Sequence, residues 1–366
     1  MRWTWKLIIG IALSLGMVAV GSPAGATSTA ANGKISFNRW SPDGVPSAFT
    51  INPDGSNEQQ IDPNPSPPIL AVSCERFAPD GSKLVCGAWD EVGVQPATVN
   101  PDGSDFTLLN PELPLDLYCA IWSPDAARLL CHSEGLIHAA DAGLYTVRSS
   151  DAGDLVWVTA TPDGFNDSMR GYSPDGSRIL FNRVDSNDEG TLFSVNPDGT
   201  DLLQLNPPEL PVVSTNAELE ADWSPDGSQV TFAAQWRSSP GRGIALYVVN
   251  ADGSGLRQIT PSGLGAVSAQ WSPDGQLIAF TSKLRARPQV WVVHPDGTGL
   301  REVTSDSDGS ISGFPVWSPD STKLLFERTT KHGEALWIAN ADGTALYELT
   351  DIPGDTSYAW GTAPPS

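Results

Sequence analysis

The stretch WSPDGQLIAF, residues 271–280, and its continuation VWVVHPDGTGLREVT, residues 290–304, form one copy of a pattern that recurs along this chain of 366 residues. Its first phrase is an aromatic residue followed, after one position, by Pro-Asp. Its second phrase is Asn-Pro-Asp-Gly or Asn-Ala-Asp-Gly, with His once replacing Asn, and it lies about midway between successive aromatic landmarks. These landmarks are Phe77, Trp122, Tyr172, Trp223, Trp271, Trp317 and the terminal Trp360. Their spacing predicts tandem structural units of about 47 residues.

Each unit contains four segments of strand length, which we label A to D. Around Trp271 they are VSAQW, QLIAF, QVWVV and LREVT, rich in residues that favour strands. The two phrases are typical of turns, because proline presets φ, aspartate caps the backbone and glycine takes a positive φ. Most Asp-Gly pairs are therefore interpreted as structural. Asp125-Ala126 and Asp320-Ser321 lack the glycine, and we expect strain or another loop type there.

An early look-alike of the first phrase, RWSPDG at residues 39–44, determines how many units the chain contains. Asn52 opens the next Asn-Pro-Asp-Gly phrase, and the interval from Trp40 to Asn52 is too short to hold both a B strand and a C strand. Upstream, KISF at residues 34–37 matches KLLF at residues 323–326. We therefore assign KISF as the first B strand and place the look-alike in the loop between strands B and C.

The first unit consequently lacks its A strand, and the end of the chain supplies one. The segment TSYAW, residues 356–360, has the A-strand pattern and no B strand after it. Pairing of about 356–360 with about 34–38 would leave no open edge. We predict an all-β fold, a seven-bladed β-propeller of four-stranded antiparallel blades over residues 34–361. An open solenoid is the alternative, and it would leave two unpaired end units.

The repeat WSPDG…LIAF…VWVVHPDGTGLREVT resembles the TolB-type, WD40-like β-propeller repeats, and its copies cover nearly all of residues 34–361. The resemblance implies a propeller that serves as a binding platform in the periplasm, in the cell envelope or outside the cell. TolB itself has an additional N-terminal α/β domain and belongs to an envelope-spanning complex. In this chain only about seven residues separate the expected signal-peptide cleavage site from the first strand.

The N terminus has the three parts of a cleavable signal peptide. MRWTWK is basic, LIIGIALSLGMVAV is an apolar run, and Ala24-Gly25-Ala26 forms a small-residue cleavage site. The run is shorter than the roughly 20 residues of a membrane span. We predict a signal peptide over 1–26, short tails at 27–33 and 362–366, and a secreted, extracytoplasmic monomer that is not an integral membrane protein. A retained anchor is the alternative.

The composition bears on which partners the protein can have. The chain has 43 acidic and 21 basic residues and a formal net charge of −22. Such a charge repels nucleic acid and anionic membranes, and we expect neither as a partner. The acidity does not indicate disorder, because 13 tryptophans and 40% hydrophobic residues are enough for a large core.

Four cysteines occupy equivalent positions in two neighbouring units. Cys74 and Cys119 stand three positions before their aromatic landmarks, and Cys86 and Cys131 stand nine after them. These positions are expected to oppose each other on adjacent strands, and an exported protein favours oxidised cysteines. We predict disulfides Cys74–Cys86 and Cys119–Cys131. Four buried thiols or another connectivity are the alternatives. The other units carry phenylalanine at the second position, which indicates a buried site: Phe181, Phe232, Phe280 and Phe326.

No motif of an enzyme class is found. The sequence has no Gly-x-Ser-x-Gly elbow, P-loop or dinucleotide fingerprint, and we predict no cofactor. Some seven-bladed relatives are metal-dependent polysaccharide lyases that use several histidines, but His132, His138, His294 and His332 form no matching set, so no metal site is predicted. The carboxylates around Asp306 and Asp308 and those of residues 185–190 could hold calcium, with solvated acidic loops as the simpler interpretation.

The loops provide one candidate binding surface. Because neighbouring strands run antiparallel, the A–B and C–D turns share one face and the irregular B–C and D–A loops share the other, where function usually lies. The B–C loops of the second to fourth units are acidic: Asp90, Glu91, Glu134, Asp141, Asp185, Asp188 and Glu189. Those of the fifth to seventh units carry the basic loop sector, the candidate binding residues: Arg237, Arg242, Lys283, Arg285, Arg287, Arg328 and Lys331, with Trp236 among them.

From these features we expect an exported, non-catalytic binding scaffold. A basic sector on an acidic protein would attract an acidic protein or an anionic cell-surface polymer. Solvated charges without a partner are the simpler interpretation of the same residues. The alternative function is a carbohydrate-active, metal-dependent lyase-like enzyme or a sensor domain that uses the same face or the central channel.

Overall fold

A computed structural model of the chain describes residues 30–61, 69–91, 93–109, 117–133, 142–187, 189–213, 221–236, 243–283, 287–305, 307–351 and 354–364. The predicted signal peptide lies outside them. Within these ranges the chain is almost entirely β-structure, with one short 3-10 helix at Ser262–Leu264. No helix of this part of the chain is long and apolar enough to cross a membrane.

Seven four-stranded antiparallel blades form a ring, as the repeats predict. Blades 1 to 4 contain the following strands: blade 1, β1 (Asn32–Trp40), β2 (Pro46–Ile51), β3 (Gln59–Gln60) and β29 (Asp355–Thr362); blade 2, β4 (Ala71–Phe77), β5 (Leu84–Trp89), β6 (Val94–Val99) and β7 (Thr107–Leu108); blade 3, β8 (Tyr118–Trp122), β9 (Arg128–Ser133), β10 (Gly143–Arg148) and β11 (Val156–Ala160); blade 4, β12 (Phe165–Tyr172), β13 (Ile179–Asp185), β14 (Glu189–Val195) and β15 (Leu203–Gln204).

Blades 5 to 7 have their strands in the same order. An additional strand, β16 (Val212–Val213), lies between blades 4 and 5 in the sequence. The three blades contain these strands: blade 5, β17 (Asp222–Trp223), β18 (Gln229–Ala234), β19 (Ala245–Asn250) and β20 (Arg257–Gln258); blade 6, β21 (Ala266–Trp271), β22 (Ile278–Ser282), β23 (Gln289–Val293) and β24 (Arg301–Glu302); blade 7, β25 (Ile311–Trp317), β26 (Lys323–Thr330), β27 (Gly333–Asn340) and β28 (Tyr347–Glu348). The A strands contact one another from blade to blade and surround the axis.

The ring is closed by β29, which pairs antiparallel with β1 and is the A strand of blade 1. Ile35 lies opposite Trp360, and the pairing runs from Asn32–Thr362 to Arg39–Asp355, beyond the predicted 34–38 and 356–360. The prediction of a closed seven-bladed ring is therefore confirmed. The expected tail at 27–33 ends within β1, because Asn32 and Gly33 already belong to that strand.

The look-alike phrase at residues 39–44 forms the same kind of turn as the other copies, but at a different place. Arg39 and Trp40 end β1, and the chain turns at Ser41–Val45 into β2. The Gly44 amide donates to the Ser41 carbonyl at 2.8 Å, and Gly44 has a φ of 77°. The turn chemistry is local, so it recurs at a B–C connection as readily as at an A–B connection.

The A–B turns combine a side-chain clamp with tight packing between blades. In blade 4 the Ser173 hydroxyl donates to Asp175 at 2.6 Å, and Asp175 accepts the Ser177 amide at 3.0 Å. A Cβ on Gly227 would stand 3.3 Å from the ring of Pro174 in the preceding turn. Where glycine is missing, Ala126 and Ser321 keep the same turn with φ values of 57° and 63°. The expected strain is present, since positive φ disfavours residues with a Cβ.

The blade cores confirm the buried position that the phenylalanines indicate. Phe181, Phe232, Phe280 and Phe326 are fully buried. In blades 2 and 3 this position is taken by Cys86 and Cys131, and both form the disulfides expected from the spacing, Cys74–Cys86 and Cys119–Cys131. The cysteine pairs lie directly opposite each other on strands A and B. Each disulfide therefore replaces a large core side chain with a covalent link.

Strand β16 was not predicted from the sequence. It lies in the D–A connection and pairs with β14 of blade 4 and, at Val212–Ala234, with β18 of blade 5. Two neighbouring blades thereby join into one sheet of nine strands. The pairing depends on the distance between two blades, so no repeat pattern announces it.

Candidate functional site

The basic loop sector is only partly assembled in the structure. Arg237, Arg242 and Arg285 lie outside the described residues. Trp236 is partly buried and packs against the core of blade 5. Lys283 follows β22 and is partly buried, while Arg287 and Lys331 are exposed on the B–C loops of blades 6 and 7. Arg328, by contrast, is only 4% exposed.

Arg328 belongs to a structural arrangement that occurs in three blades. In blade 4, Arg183 donates to Asp167 through Nε and Nη2, both at 2.6 Å, and its guanidinium lies 5.6 Å from the ring of Phe181. In blade 1, Arg39 pairs in the same way with Asp355, which lies opposite it on the A strand. Arg183 and Arg39 each lie against core aromatic rings, and a buried carboxylate on strand A neutralises each of them.

Blade 7 has the arginine of this arrangement but not the buried carboxylate. Ser312 occupies the position opposite Arg328, and its hydroxyl accepts a bond from Nη1 at 2.9 Å. Asp308 of the D–A loop pairs with Nη2 at 3.0 Å, and its side chain is 58% exposed. Arg328 Nε is buried without a partner among the described residues. The side chain that appeared to be a loop charge in the sequence therefore stabilises a blade.

Arg287 is the member of the sector that is best placed to meet a partner. Its guanidinium lies beside Gly309, next to the Asp308–Arg328 pair. Neither Arg287 nor Lys331 has a side-chain hydrogen bond or ion pair within the described ranges. The two side chains therefore present positive charge on the loop face of blades 6 and 7 that no described residue neutralises.

In the acidic loops of blades 2 and 4, Asp90 and Asp185 use their carboxylates internally, whereas Glu134, Asp141 and Asp188 lie outside the described residues. Asp90 accepts the Gly93 amide at 3.0 Å and the Gln95 side chain at 2.7 Å. Asp185 accepts the amides of Asn187 and Glu189 at 2.8 Å and 3.0 Å. These carboxylates cap their own loops, as aspartate commonly does.

Among the histidines and the calcium candidate around Asp308, only His294 and Asp308 have side-chain partners in the described ranges; His332 is exposed, and His138 lies outside those ranges. His132 is buried in blade 3, and burial lowers its pKa to about 4. His294 takes the place of the turn asparagine, and its Nδ1 lies 2.9 Å from the Gln276 carbonyl. Asp308 is engaged by Arg328 and by the Ser310 amide, while Asp306 lies outside the described residues. In the described part of the chain no three His, Cys, Asp or Glu side chains are placed to hold a metal ion.

A second candidate site, which the loop charges do not reveal, lies at the axis. The A strands and A–B turns of blades 2 to 5 surround a pocket with a volume of about 70 Å³. Its polar lining includes Arg76, Arg170, Tyr172 and Asp222, and its apolar lining includes Trp122 and the prolines of the four A–B turns. Because this pocket is at the turn end of the ring, it is separate from the loop face.

Burial controls the electrostatics of the axial pocket. It raises the pKa of Asp222 to about 7, although Asp222 accepts the Trp271 amide at 2.8 Å and faces the positive charge of Arg76. Burial also raises the pKa of Tyr172. The Tyr172 hydroxyl is buried without a hydrogen-bond partner among the described residues, whereas Arg76 and Arg170 both have interaction partners.

The sequence did contain a signal for this pocket. Arg76 and Asp222 each stand immediately before an aromatic landmark, and Arg170 stands two positions before one. The other units carry uncharged residues at these two positions, except for Glu75 beside Arg76. Comparing these positions across the repeats would have singled out the charges that the ring brings to its axis.

Comparisons with known proteins agree with the fold. No protein-family model and no curated protein matches the sequence. Among solved structures, TolB from Acinetobacter baumannii is similar, with a TM-score of 0.55 and 16% identity over 90% of this chain and 66% of that chain. An oligogalacturonate lyase in complex with manganese has a TM-score of 0.56 and 15% identity over 87% of this chain and 85% of that one. A prolyl endopeptidase has a TM-score of 0.65 and 12% identity over 94% of this chain and 51% of that one.

These likenesses and the ring of seven blades define the class: the chain is a seven-bladed β-propeller whose fold resembles that of TolB. At such low identities the similarity shows the fold alone. The similar structures include enzymes as well as TolB, so the fold does not determine an activity.

Proposed function

We propose that this protein is a non-catalytic binding scaffold that works outside the cytoplasm and captures an anionic partner on its loop face. The observation that carries the proposal is the exposed guanidinium of Arg287, which lies beside Gly309 and has no partner among the described residues, on an otherwise strongly acidic protein. Lys331 adds a second exposed positive charge on the neighbouring blade. The two disulfides fit an oxidising compartment.

The rigidity of the ring supports a binding role. Its A strands contact each other around the axis, and β29 links the two ends of the repeat array. Loops held on such a scaffold lose little conformational freedom when a partner binds, which favours affinity. The members of the sector outside the described residues, Arg237, Arg242 and Arg285, are included in the proposed surface.

Charge reversal tests the proposal. We expect wild-type protein to bind immobilised poly-L-glutamate or polygalacturonate, and we expect the affinity to fall as ionic strength rises. Arg285→Glu with Arg287→Glu should weaken binding at least about tenfold, because an attractive surface becomes repulsive. Biolayer interferometry measures both effects.

The matched control is Arg148→Glu, which changes the net charge by the same amount per site. Arg148 is exposed at the C–D turn of blade 3, on the opposite face, where it pairs with Asp151. If Arg148→Glu weakens binding as much as Arg287→Glu does, the effect comes from net charge, and the loop-face proposal is rejected.

The alternative is a carbohydrate-active enzyme, and it is favoured by the structural similarity to an oligogalacturonate lyase in complex with manganese. Incubation of the protein with polygalacturonate, with and without manganese, distinguishes the two functions. Formation of unsaturated products that stops when a chelator is added would establish the enzyme. Binding without turnover under the same conditions is the result that we expect.

A further inference from the structure

The axial pocket lies at the turn end of the ring, away from the basic loop sector, and it needs a separate explanation. We propose that this pocket binds a small carboxylate group, held by the guanidinium groups of Arg76 and Arg170 and by the hydroxyl of Tyr172. All three residues line the cavity. The inference goes beyond the proposed scaffold function, because neither the residues nor the face are shared with it.

The size of the cavity limits the ligand. One water molecule needs about 10–15 Å³ of such space, so a volume of about 70 Å³ holds roughly five to seven non-hydrogen atoms. A carboxylate with two to four carbon atoms fits this limit. A complete sugar ring with its hydroxyl groups exceeds the space inside the pocket, which is partly open to solvent, and such a ring would have to protrude. The occupant is therefore a small acid or the end of a longer chain.

The charge of the lining selects an anion. Among the described residues that line the cavity there are two guanidinium groups and one carboxyl group, Asp222; Glu75 beside Arg76 is outside the lining, and burial raises its pKa. Arginine presents paired N–H donors in a plane that matches both oxygens of a carboxylate. Arg76 and Arg170 already have interaction partners, and a carboxylate would be attracted by the positive charge that both place on the lining of the same pocket.

Tyr172 supplies the observation that is independent of charge. Its hydroxyl has no hydrogen-bond partner among the described residues, although it is buried. A buried hydroxyl without a partner is costly, and native proteins usually satisfy such groups. A small movement of the Tyr172 ring would open this hydroxyl to the cavity, where a carboxylate oxygen would accept its hydrogen bond. The alkyl part of the ligand would then contact the apolar wall formed by Trp122, Ile121 and Trp223.

Binding of a small carboxylate to the axial pocket can be measured with a fluorinated probe. We expect trifluoroacetate to bind the complete folded protein, seen as broadening of its ¹⁹F resonance, and trifluoroacetamide not to bind. Tyr172→Phe should retain the thermal stability of the wild type and bind trifluoroacetate about tenfold more weakly, because a hydrogen bond to a charged group is lost. Arg170→Gln should weaken binding further.

Two controls separate this site from the rest of the protein. Arg148→Gln removes an exposed guanidinium elsewhere, and Arg287→Glu alters the loop face. Both variants should bind trifluoroacetate like the wild type, so a failure of the loop-face proposal leaves this test intact. Equal binding of the acid and the amide would overturn the inference, and so would wild-type affinity in a folded Tyr172→Phe variant.

Competition then identifies the source of the carboxylate. Displacement of the probe by acetate and not by a peptide with a free C terminus indicates a small acid as the ligand. Displacement by that peptide, but not by its C-terminal amide, indicates a chain end. Both results support a carboxylate site. Failure of both acetate and the peptide to displace the probe contradicts it.

Discussion

Replacing Asp167 with asparagine tests how a blade holds its buried arginine. Asp167 is fully buried on strand A of blade 4, and both of its oxygens accept bonds from Arg183 at 2.6 Å. The Thr159 hydroxyl of blade 3 donates to the same carboxylate at 2.9 Å. Asparagine keeps the volume of the side chain and removes its charge. The variant therefore leaves the Arg183 guanidinium without its counter-charge.

The expected loss in the free energy of unfolding is large, although only one carboxylate oxygen is replaced. Removal of one partner from a buried ion pair costs about 3–5 kcal/mol, because the remaining charge is left uncompensated. The asparagine oxygen can still accept one hydrogen bond, so we expect about 3 kcal/mol, at the low end of that range. Such a loss is a substantial part of the roughly 5–15 kcal/mol by which domains are stable. The interaction also joins two blades, since Thr159 belongs to blade 3.

Urea unfolding followed by tryptophan fluorescence measures this cost, with the disulfides kept oxidised. The matched control is Asp151→Asn, which breaks the pair with Arg148, where both side chains are more than half exposed. That change should cost less than about 1 kcal/mol. Asp167→Leu combined with Arg183→Met should recover most of the lost stability, because it removes both charges. If Asp167→Asn lowers the free energy of unfolding by less than about 1 kcal/mol, and the slope of that free energy against urea concentration is unchanged, the reasoning is refuted.

Four further substitutions test other features of the structure. Ala126→Gly should raise the free energy of unfolding in urea by about 1 kcal/mol, because Ala126 has a positive φ of 57° that glycine adopts without strain. Ser321→Gly should raise it by less, because the Ser321 hydroxyl accepts a hydrogen bond from the Asp274 amide of the neighbouring turn, and glycine loses that bond. Ser312→Asp should stabilise the protein in the same assay by pairing with Arg328 as in blades 1 and 4; a loss would contradict the comparison. Burial raises the pKa of Glu327 to about 8, so as pH rises the glutamate ionises in the unfolded state before it ionises in the folded one, and the wild type loses stability between pH 5 and 8. Glutamine does not titrate, so the free energy of unfolding of Glu327→Gln relative to the wild type should increase over the same pH range.

The architecture was predictable because its signals are local. Pro, Asp and Gly at fixed offsets form each turn without help from distant residues, and the spacing of the turns determines the strands between them. Even ring closure followed from counting, since TSYAW at 356–360 had no B strand of its own. The turn at Ser41–Val45 shows the limit of this reasoning, because the same chemistry serves another connection.

The candidate sites were less predictable, because they depend on contacts between strands and between blades. Arg328 looked like a loop charge, but β26 continues to Thr330 and pairs it with Ser312 on strand A. Arg76 and Asp222 belong to units that are far apart in the sequence, and they approach only because the ring brings blades 2 and 5 to one axis. No feature of the neighbouring sequence shows that these charged side chains are buried together at the axis. An alignment of the repeats, position by position, indicates it, because the other units carry uncharged residues there.

The pairing of β29 with β1 also has a consequence for how the molecule forms. Blade 1 cannot be completed until Asp355–Thr362 meets Asn32–Trp40, a strand at the opposite end of the repeat array. Contacts of such sequence separation are entropically expensive and slow to form. Six blades can assemble progressively as the polypeptide is made, while the first waits as a three-stranded sheet with an unpaired edge. The interval before that edge is covered is when the nascent protein is most exposed to aggregation and to proteases.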